Sequence, residues 1–358
     1  MATIDRYLAD MLEKQGSVLH LSAGQPARYR IQGALVPAGD QVIDAAGLEA
    51  MLREICPAEP GWDAFIRSGD LDFTYSVPNF ARFHCSFLSD YAGIGAVVRL
   101  LPEEISAPAD LGIPDAVQAF CNLSGGLVLF TGCGRNAAAA ALIQQINSTQ
   151  NKQIITIEDP IETVFKNQSS FVIQREIGTH CRSFADALRS AGRADPEVLF
   201  VSSLRDPETI RLTLECAAMG MLVFACMDTC GAADSVAALP ALCPESERNQ
   251  IRELLAETLR GCYSRMACCG TDGSIVLAQE VLSFTDALPP LIRENRPAEL
   301  GPLMEACREY GMISLDGSVL DLLNQGLISG QEAFLKVRDK RVFAESAQPE
   351  GEGATPQQ

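Results

Sequence analysis

The sequence predicts an α/β protein with a small α+β domain followed by a larger domain built on a parallel sheet. The first hundred residues mix helix-like segments with short β-rich segments bounded by Gly, Pro and Asp. Beyond them, short uninterrupted apolar segments alternate with helical patterns, which is typical of buried parallel strands joined by crossover helices. A length of 358 residues, with 47% hydrophobic residues, is sufficient for two hydrophobic cores.

The first predicted domain covers residues 1–100. It opens with MATIDRYLADMLEKQG, which has the apolar period of an amphipathic helix. Its β-rich segments are YRIQGALV (29–36), LDFTYSV (71–77), ARFHCSFL (81–88) and GAVVRLL (95–101). The Pro-spaced segment LPEEISAPADLGIP is typical of a linker, which we place at residues 101–116.

The second predicted domain covers residues 117–343. Its buried strands are predicted at Leu127–Phe130, Ile154–Ile157, Val198–Val201 and Leu222–Ala225. After Pro290 the apolar period is helical. Residues 344–358 are polar and rich in Pro and Gly, so they predict a disordered tail.

Charge and cysteine usage exclude several functional classes. The formal net charge of -18, from 28 basic and 46 acidic residues, argues against a nucleic-acid partner or an anionic membrane surface. The acidic amino terminus does not fit a secretory signal and no apolar run is long enough to cross a membrane, so a cytoplasmic protein is expected. The 13 cysteines are scattered, which favours reduced thiols over disulfides or a metal site.

Seven segments follow one another in an order that points to a known family. They are GSVLHLSAGQPARYRIQGAL (16–35), IITIEDPIE (154–162), QREIG (174–178), ALRSAGRADPEVLFV (187–201), LRDPETIRL (204–212), LIREN (291–295) and GMISLDGSVLDLLNQGLIS (311–329). Together they resemble the PilT-like motors that retract type IV pili, within the secretion ATPase superfamily. One departure is Val18, which stands where the family usually has aspartate.

The resemblance implies a PAS-like amino-terminal domain followed by a RecA-like P-loop NTPase domain with a helical carboxyl-terminal tail. It also implies ATP and Mg²⁺ as cofactors. The implied assembly is a hexamer, either of this chain alone or mixed with PilT-like motor subunits. The implied partner is the inner-membrane platform protein of the type IV pilus, which would place the chain in the cytoplasm or at the inner membrane.

The segment LVLFTGCGRNAAAAALIQQIN (127–147) has the strand, turn and helix of a phosphate-binding loop, but its turn is short. Such a loop reads Gly-x-x-x-x-Gly-Lys-Ser/Thr, because its backbone N–H groups surround the phosphates, its lysine neutralises them and its hydroxyl holds Mg²⁺. Here the lysine is absent, and aligning both flanks to the family leaves the turn about three residues short. The candidate cofactor-binding residues of the turn are Thr131, Gly132, Cys133, Gly134, Arg135 and Asn136.

The sequence leaves three interpretations of this turn open: a structural connection, weak phosphate binding, and a working loop. Arg135 takes the lysine place, but its planar guanidinium does not reproduce a compact ammonium inside a closed loop. Asn136 takes the hydroxyl place, or it caps a helix that begins at Ala137. We favour the structural connection.

Three further positions depart from the family. Ser203 stands where the family has a glutamate that helps to position Mg²⁺ and water, and serine lacks the carboxylate charge. Met221 and Asp228 stand at two positions that the family reserves for histidine. Methionine cannot form the hydrogen bonds of a histidine at a phosphate-sensing site.

Other family positions are retained. Glu158, Asp159 and Glu162 keep the acidic box, whose role in the family is to position metal and water; a structural ion-pair network is the alternative. The retained arginines are Arg82, Arg99, Arg175, Arg189 and Arg193, whereas His84 replaces a further arginine.

These arginines have two interpretations. In the family, the arginines at positions 82 and 99 approach nucleotide across a subunit interface, and the alternative is that they hold ring contacts. Arg189 and Arg193 are four residues apart, so we expect them on one helix face.

The leading hypothesis is a PilT-like accessory or regulatory subunit of a type IV pilus machine, with lost or severely weakened ATP hydrolysis. The alternative is an active retraction or secretion ATPase whose unusual loop binds phosphate through Arg135. A ring protein of another secretion machine is a third hypothesis, because related motors serve several envelope machines.

Overall fold

The computed structural model describes residues 2–31, 33–58, 61–78, 80–101 and 104–343, without the side chains of residues 342 and 343. The described residues form two units. The first comprises those of Met1–Ile105, Glu158–Phe165 and Gln174–Arg182, and the second those of Ser106–Ile157, Lys166–Ile173 and Ser183–Gln358. The domain boundaries inferred from the sequence remain predictions. The predicted disordered tail at residues 344–358 lies outside the described residues.

The first unit is built on a six-stranded antiparallel sheet with the order β3-β2-β1-β6-β5-β4. Its elements are α1 (Asp5–Glu13), β1 (Val18–Ser22), β2 (Gln25–Ile31), β3 (Ala34–Ile43), α2 (Ala45–Ile55), α3 (Gly61–Ser68), β4 (Asp70–Val77), β5 (Ala81–Asp90) and β6 (Gly93–Leu101). Alternate residues of β5, at Phe83, Cys85 and Phe87, are buried in a core shared with Leu8 of α1 and Leu48 of α2. This alternation is what a sheet with one covered face requires.

The segment at residues 29–36, which the sequence suggested as one β-rich run, is a hairpin. β2 ends at Ile31 and β3 begins at Ala34. Gly33 lies between them at φ 85°, a left-handed conformation that glycine adopts without a steric cost. The turn therefore divides the apolar pattern into two strands that pair with each other.

The second unit is built on a seven-stranded mixed sheet with the order β13-β12-β7-β11-β10-β8-β9. Its strands are β7 (Gly126–Gly132), β8 (Gln153–Glu158), β9 (Phe171–Glu176), β10 (Val198–Val201), β11 (Leu222–Met227), β12 (Leu259–Cys269) and β13 (Ile275–Ser283). The predicted α/β class is confirmed, and strands β7, β8, β10 and β11 contain the four strands that the sequence predicted. They pair in parallel through the neighbours β10–β8, β10–β11 and β11–β7.

Helices surround this sheet and continue to the end of the described chain. They are α4 (Asp115–Gln118), α5 (Arg135–Thr149), α6 (Phe184–Ala191), α7 (Pro207–Ala218), α8 (Ala232–Ala241), α9 (Arg248–Thr258), α10 (Leu288–Arg293), α11 (Leu300–Ala306), α12 (Leu315–Asn324), α13 (Gly330–Lys336) and α14 (Lys340–Phe343). Three 3₁₀ turns lie at Ala119–Asn122, Pro297–Glu299 and Arg308–Tyr310. The predicted helical tail is thus present.

Strands β12 and β13 were not predicted, because polar residues interrupt their apolar runs. They form an antiparallel hairpin, and β12 also pairs in parallel with β7. The strand that carries the short turn therefore has β12 on one side and β11 on the other. Residues from both neighbours can reach that turn.

None of the helices in the described ranges is long and apolar enough to cross a membrane. All 13 cysteines are free thiols, and seven of them are buried.

Candidate functional site

The candidate site is the turn between β7 and α5. β7 ends with Thr131 and Gly132, and only Cys133 and Gly134 separate it from the first residue of α5. Both glycines have positive φ, 74° at Gly132 and 65° at Gly134, because the chain reverses within two residues. The turn is thus too short for a loop that could surround a phosphate group with several amides.

The predicted cap at Asn136 is wrong. α5 begins at Arg135, and the N-cap residue is Gly134, which makes no side-chain capping bond. A capping side chain must come from the residue that precedes the first helical turn, in an extended conformation. Because helical geometry starts directly after Gly134, Asn136 lies inside the first turn of α5 instead.

Arg265 of β12 fills the inner side of the turn. Its side chain is almost fully buried, with 4% of the residue exposed. The guanidinium donates from Nε to the carbonyl oxygen of Cys133 at 3.1 Å and from Nη2 to that of Gly134 at 2.5 Å. A β-carbon at position 134 would lie 2.4 Å from the Arg265 Nη2 atom. This arginine therefore occupies the space beside the turn.

The backbone amides of the turn are already engaged. The N–H of Gly132 donates to the carbonyl oxygen of Thr229 at 3.0 Å, and that of Cys133 donates to the carbonyl oxygen of Arg265 at 2.8 Å. A phosphate cradle needs such amides to point at the anion. With two amides engaged and a guanidinium in the inner space, the residues of this turn do not fit the phosphate cradle of a nucleotide.

The outer side of the turn contains an ionic cluster. The Arg135 guanidinium forms an ion pair with the Asp228 carboxylate, which follows the end of β11. Arg205 approaches the same carboxylate, with its Nε atom 3.6 Å from Oδ2. Asp228 thus supplies Arg135 with an anion from within the chain.

The positions of Ser202, Ser203 and Met221 supply no carboxylate. Ser202 and Ser203 follow β10 and are buried, and the Ser202 N–H donates to the carbonyl oxygen of Ile157 at 3.0 Å. Met221 is also buried, but it precedes β11 and its carbonyl oxygen accepts the Gly126 N–H at the start of β7, so it lies at the opposite end of these strands from the turn. Among the described residues, no group of His, Cys, Asp and Glu side chains could hold a metal ion. Ser203 itself therefore supplies no carboxylate to Mg²⁺.

The acidic box lies in the first unit. Glu158 is the last residue of β8, and its buried carboxylate accepts a hydrogen bond from Gln174 Nε2 at 3.0 Å. Asp159 and Glu162 belong to the same segment. The guanidinium of Arg82 donates to the carbonyl oxygens of Ile161 at 2.8 Å and Glu162 at 3.4 Å. The structure therefore brings the acidic box together with one of the predicted arginines.

Three other predicted arginines have other neighbours. Arg99 of β6 stands opposite Val18 and His84 in the sheet register. Arg175 of β9 donates from Nη2 to the carbonyl oxygen of His180 at 3.4 Å. Arg189 of α6 is held by acidic side chains, with Nη1 3.3 Å from Asp186 Oδ1 and Nη2 paired with Glu208. Arg175 and Arg189 thus each have a hydrogen-bond or ion-pair partner within their own unit.

The predicted helix face shared by Arg189 and Arg193 is wrong. α6 ends at Ala191, with Gly192 as its C-cap. The N–H of Arg193 donates to the carbonyl oxygen of Ser190 at 3.1 Å, which is the spacing of a tight turn. The spacing of four residues therefore does not place these two side chains on one face.

Sequence reasoning missed two arginines of the site, Arg265 and Arg205. Arg265 had a detectable signal, because it is the one charged residue in the mainly apolar stretch CYSRMACC. Arg205 lies within the family-like segment LRDPETIRL, where nothing distinguishes it from a surface residue.

Comparisons with known proteins identify the same family that the sequence motifs indicated. A family model described as "Type II/IV secretion system protein" matches residues 2–281. The chain is 33% identical over 338 residues to the type IV pilus retraction ATPase PilT of Pseudomonas aeruginosa, covering 94% of this chain and 98% of that protein. It is 37% identical over 268 residues to a twitching motility protein of Neisseria gonorrhoeae, covering 74% and 72%.

A solved structure shows the same fold. The crystal structure of the pilus retraction motor PilT with bound ADP has a TM-score of 0.85 and 32% identity to this chain. The match covers 96% of this chain and 99% of that one. The likeness confirms the predicted arrangement of a small amino-terminal domain followed by a RecA-like ATPase domain.

Proposed function

Because the chain belongs to the type II/IV secretion system protein family and is a PilT-like member of it, we propose that it is an accessory or regulatory subunit of type IV pilus retraction. Its ATP hydrolysis is lost or severely weakened, so it acts by binding. Two of its relatives are named as a pilus retraction ATPase and a twitching motility protein, which supports a role in pilus retraction.

The observation that supports a regulatory role is the closed turn. The amides of Gly132 and Cys133 donate to backbone carbonyls, and the Arg265 guanidinium fills the inner side of the turn. The position of the missing glutamate, Ser203, offers no charge to position water. Nucleotide phosphates would therefore be held weakly.

A subunit of this kind would work in a hexamer, either of its own copies or mixed with PilT-like motor subunits. A member that does not complete the nucleotide cycle favours one conformational state, and contact with it shifts the population of its neighbours toward that state. The retained segment LIREN and the helices after it support contact with the same inner-membrane platform protein that a motor uses. Both partners place the chain in the cytoplasm or at the inner membrane.

The deciding experiment measures phosphate release by the purified chain, alone and mixed with a conventional PilT-like protein from the same cell. We expect background release from the chain alone and a dose-dependent change in the rate of the mixture. The control variant is Glu49→Gln, which changes a half-exposed carboxylate of α2 and should act on the mixture as the parent chain does. A mixture whose rate is independent of the added chain would contradict the regulatory role.

The retained acidic box favours a second candidate, an active retraction or secretion ATPase with an unusual phosphate-binding loop. Glu158, Asp159 and Glu162 keep the carboxylates that the family places near metal and water. Rapid phosphate release by the chain alone, abolished in both Arg135→Ala and Glu162→Gln, would establish this candidate and overturn the regulatory role.

A further inference from the structure

The ionic cluster beside the turn has more positive than negative charge. Asp228 is its carboxylate, and it faces the guanidinium groups of Arg135 and Arg205. Among the described residues, neither arginine forms an ion pair with any other carboxylate. One carboxylate therefore faces two guanidinium cations.

The segment that carries Asp228 also holds the turn through its backbone. The carbonyl oxygen of Thr229, the next residue, accepts the hydrogen bond from the Gly132 N–H at 3.0 Å. Asp228 and Thr229 thus fasten the first residues of α5 and the last residue of β7 to the end of β11. Movement of the Asp228 side chain would release Arg135 without breaking the strand pairing.

We propose that Asp228 is an intramolecular anion that occupies a latent site for a phosphate-type anion between Arg135 and Arg205, on the outer side of the turn. It acts as a latch, a regulatory role that rests on the function proposed above. In this role the carboxylate competes with an external anion for the same two guanidinium groups, which bind carboxylate and phosphate with similar geometry.

The exposure of the cluster makes the latch displaceable. The side chains of Asp228 and Arg205 are 55% and 64% exposed, and that of Arg135 is 26% exposed. Exposed ion pairs are weak, because water and salt screen them. Arg265 is buried on the inner side of the turn and holds its carbonyl groups, so it stays in place when the outer cluster opens.

The test compares pyrophosphate binding by the full chain and by Asp228→Asn, measured by titration calorimetry at low salt. Asparagine keeps the size of the side chain but removes the competing charge. We expect the variant to bind pyrophosphate about tenfold more tightly than the parent chain, with an affinity that falls as salt is added. The matched control is Glu49→Gln, which removes a half-exposed carboxylate 2.8 Å from Arg53 and should leave binding unchanged.

A second readout reports on the turn itself. Cys133 lies in the turn and is exposed, whereas Cys269 is an exposed thiol of β12 that serves as an internal reference. In Asp228→Asn, pyrophosphate should slow the alkylation of Cys133 relative to that of Cys269. In the parent chain the same concentration should leave the ratio unchanged.

Equal pyrophosphate affinity in the parent chain and Asp228→Asn, together with an unchanged alkylation ratio, would overturn the latch. That result would not contradict the proposed regulatory function, because that function is tested separately by phosphate release in mixtures. Conversely, hydrolysis by the chain alone would overturn the proposed function, while a gain of pyrophosphate binding in Asp228→Asn would still support the latch.

Discussion

The guanidinium of Arg265 donates a hydrogen bond to the carbonyl oxygen of Gly134, 131 residues away in the chain, at 2.5 Å. The same group donates to the carbonyl oxygen of Cys133. The carbonyl oxygen of Gly134 also accepts the Ala138 N–H of α5 at 3.0 Å, so the buried arginine ties the first turn of the helix and the residue before it to β12. The turn is therefore a stable structural element of its own, held from the neighbouring strand β12.

Replacing Arg265 by methionine removes these donors while keeping much of the side-chain length. We expect a loss of about 1 to 3 kcal/mol in the free energy of unfolding, because the carbonyl oxygens of Cys133 and Gly134 lose a charged donor. Urea denaturation measures the loss, and Cys133 should alkylate faster in the variant. The control is Arg260→Met on the same strand, whose guanidinium donates to the carbonyl oxygen of Glu257 near the surface. An equal loss in both variants would contradict a specific role of Arg265.

Replacing Gly132 by alanine tests the tight packing of the turn. The added β-carbon would lie 2.0 Å from the backbone oxygen of Arg265, and φ at this position is 74°. We expect the free energy of unfolding to fall by about 3 kcal/mol or more.

The matched control for the Gly132 variant is Gly273→Ala, since Gly273 has φ 81° but open space around its α-carbon. This control should cost only about 1 to 2 kcal/mol, the penalty of a left-handed alanine. Thermal denaturation of both variants separates backbone strain from the clash. Similar losses would show that the turn can open around a methyl group.

Glu280 should make stability depend on pH. Burial raises the pKa of its carboxyl above the ordinary 4.5, and its Oε1 accepts a hydrogen bond from the Ala232 N–H at 2.5 Å. The folded protein therefore holds this proton more tightly than the unfolded chain does. The stabilisation that the protonated Glu280 carboxyl gives the folded protein is fully present below pH 4.5. It is lost as the pH rises through the raised pKa of the folded state.

Glu280→Gln keeps the acceptor and removes the charge, so the variant should be more stable than the parent chain at pH 7. The difference in the free energy of unfolding should grow with pH to about 1.4 kcal/mol for each unit by which the pKa is raised. It should disappear near pH 4. Urea denaturation across this pH range measures it. Glu309→Gln, at an exposed position, should show no such difference, and a parallel pH profile for all three proteins would refute the prediction.

Native alkylation should sort the cysteines by burial. Burial raises the pKa of the Cys121 thiol to about 12 and that of Cys216 to about 11. These thiols should react only after unfolding, whereas Cys133, Cys230 and Cys269 are exposed and should react at once. Peptide mapping by mass spectrometry after a brief exposure to iodoacetamide checks this order. Fast labelling of Cys121 in folded protein would contradict it.

The sequence by itself determined the fold class, four strands of the parallel sheet and the place of the turn. These features follow from local patterns, because the period of apolar residues selects strand or helix and glycines mark a reversal. The ordered motifs also identified the family, since their spacing depends on the chain alone. The helix start at Arg135 was missed because the cap depends on the φ angle of Gly134, which the sequence does not reveal.

Only the tertiary structure decided what the turn contains. Arg265 reaches it from β12 and Asp228 from the end of β11, and the pairing of both strands with β7 brings them there. The Asp228–Arg135 pair joins residues 93 positions apart. Contacts at such distances depend on strand order and register, which local residue patterns do not encode.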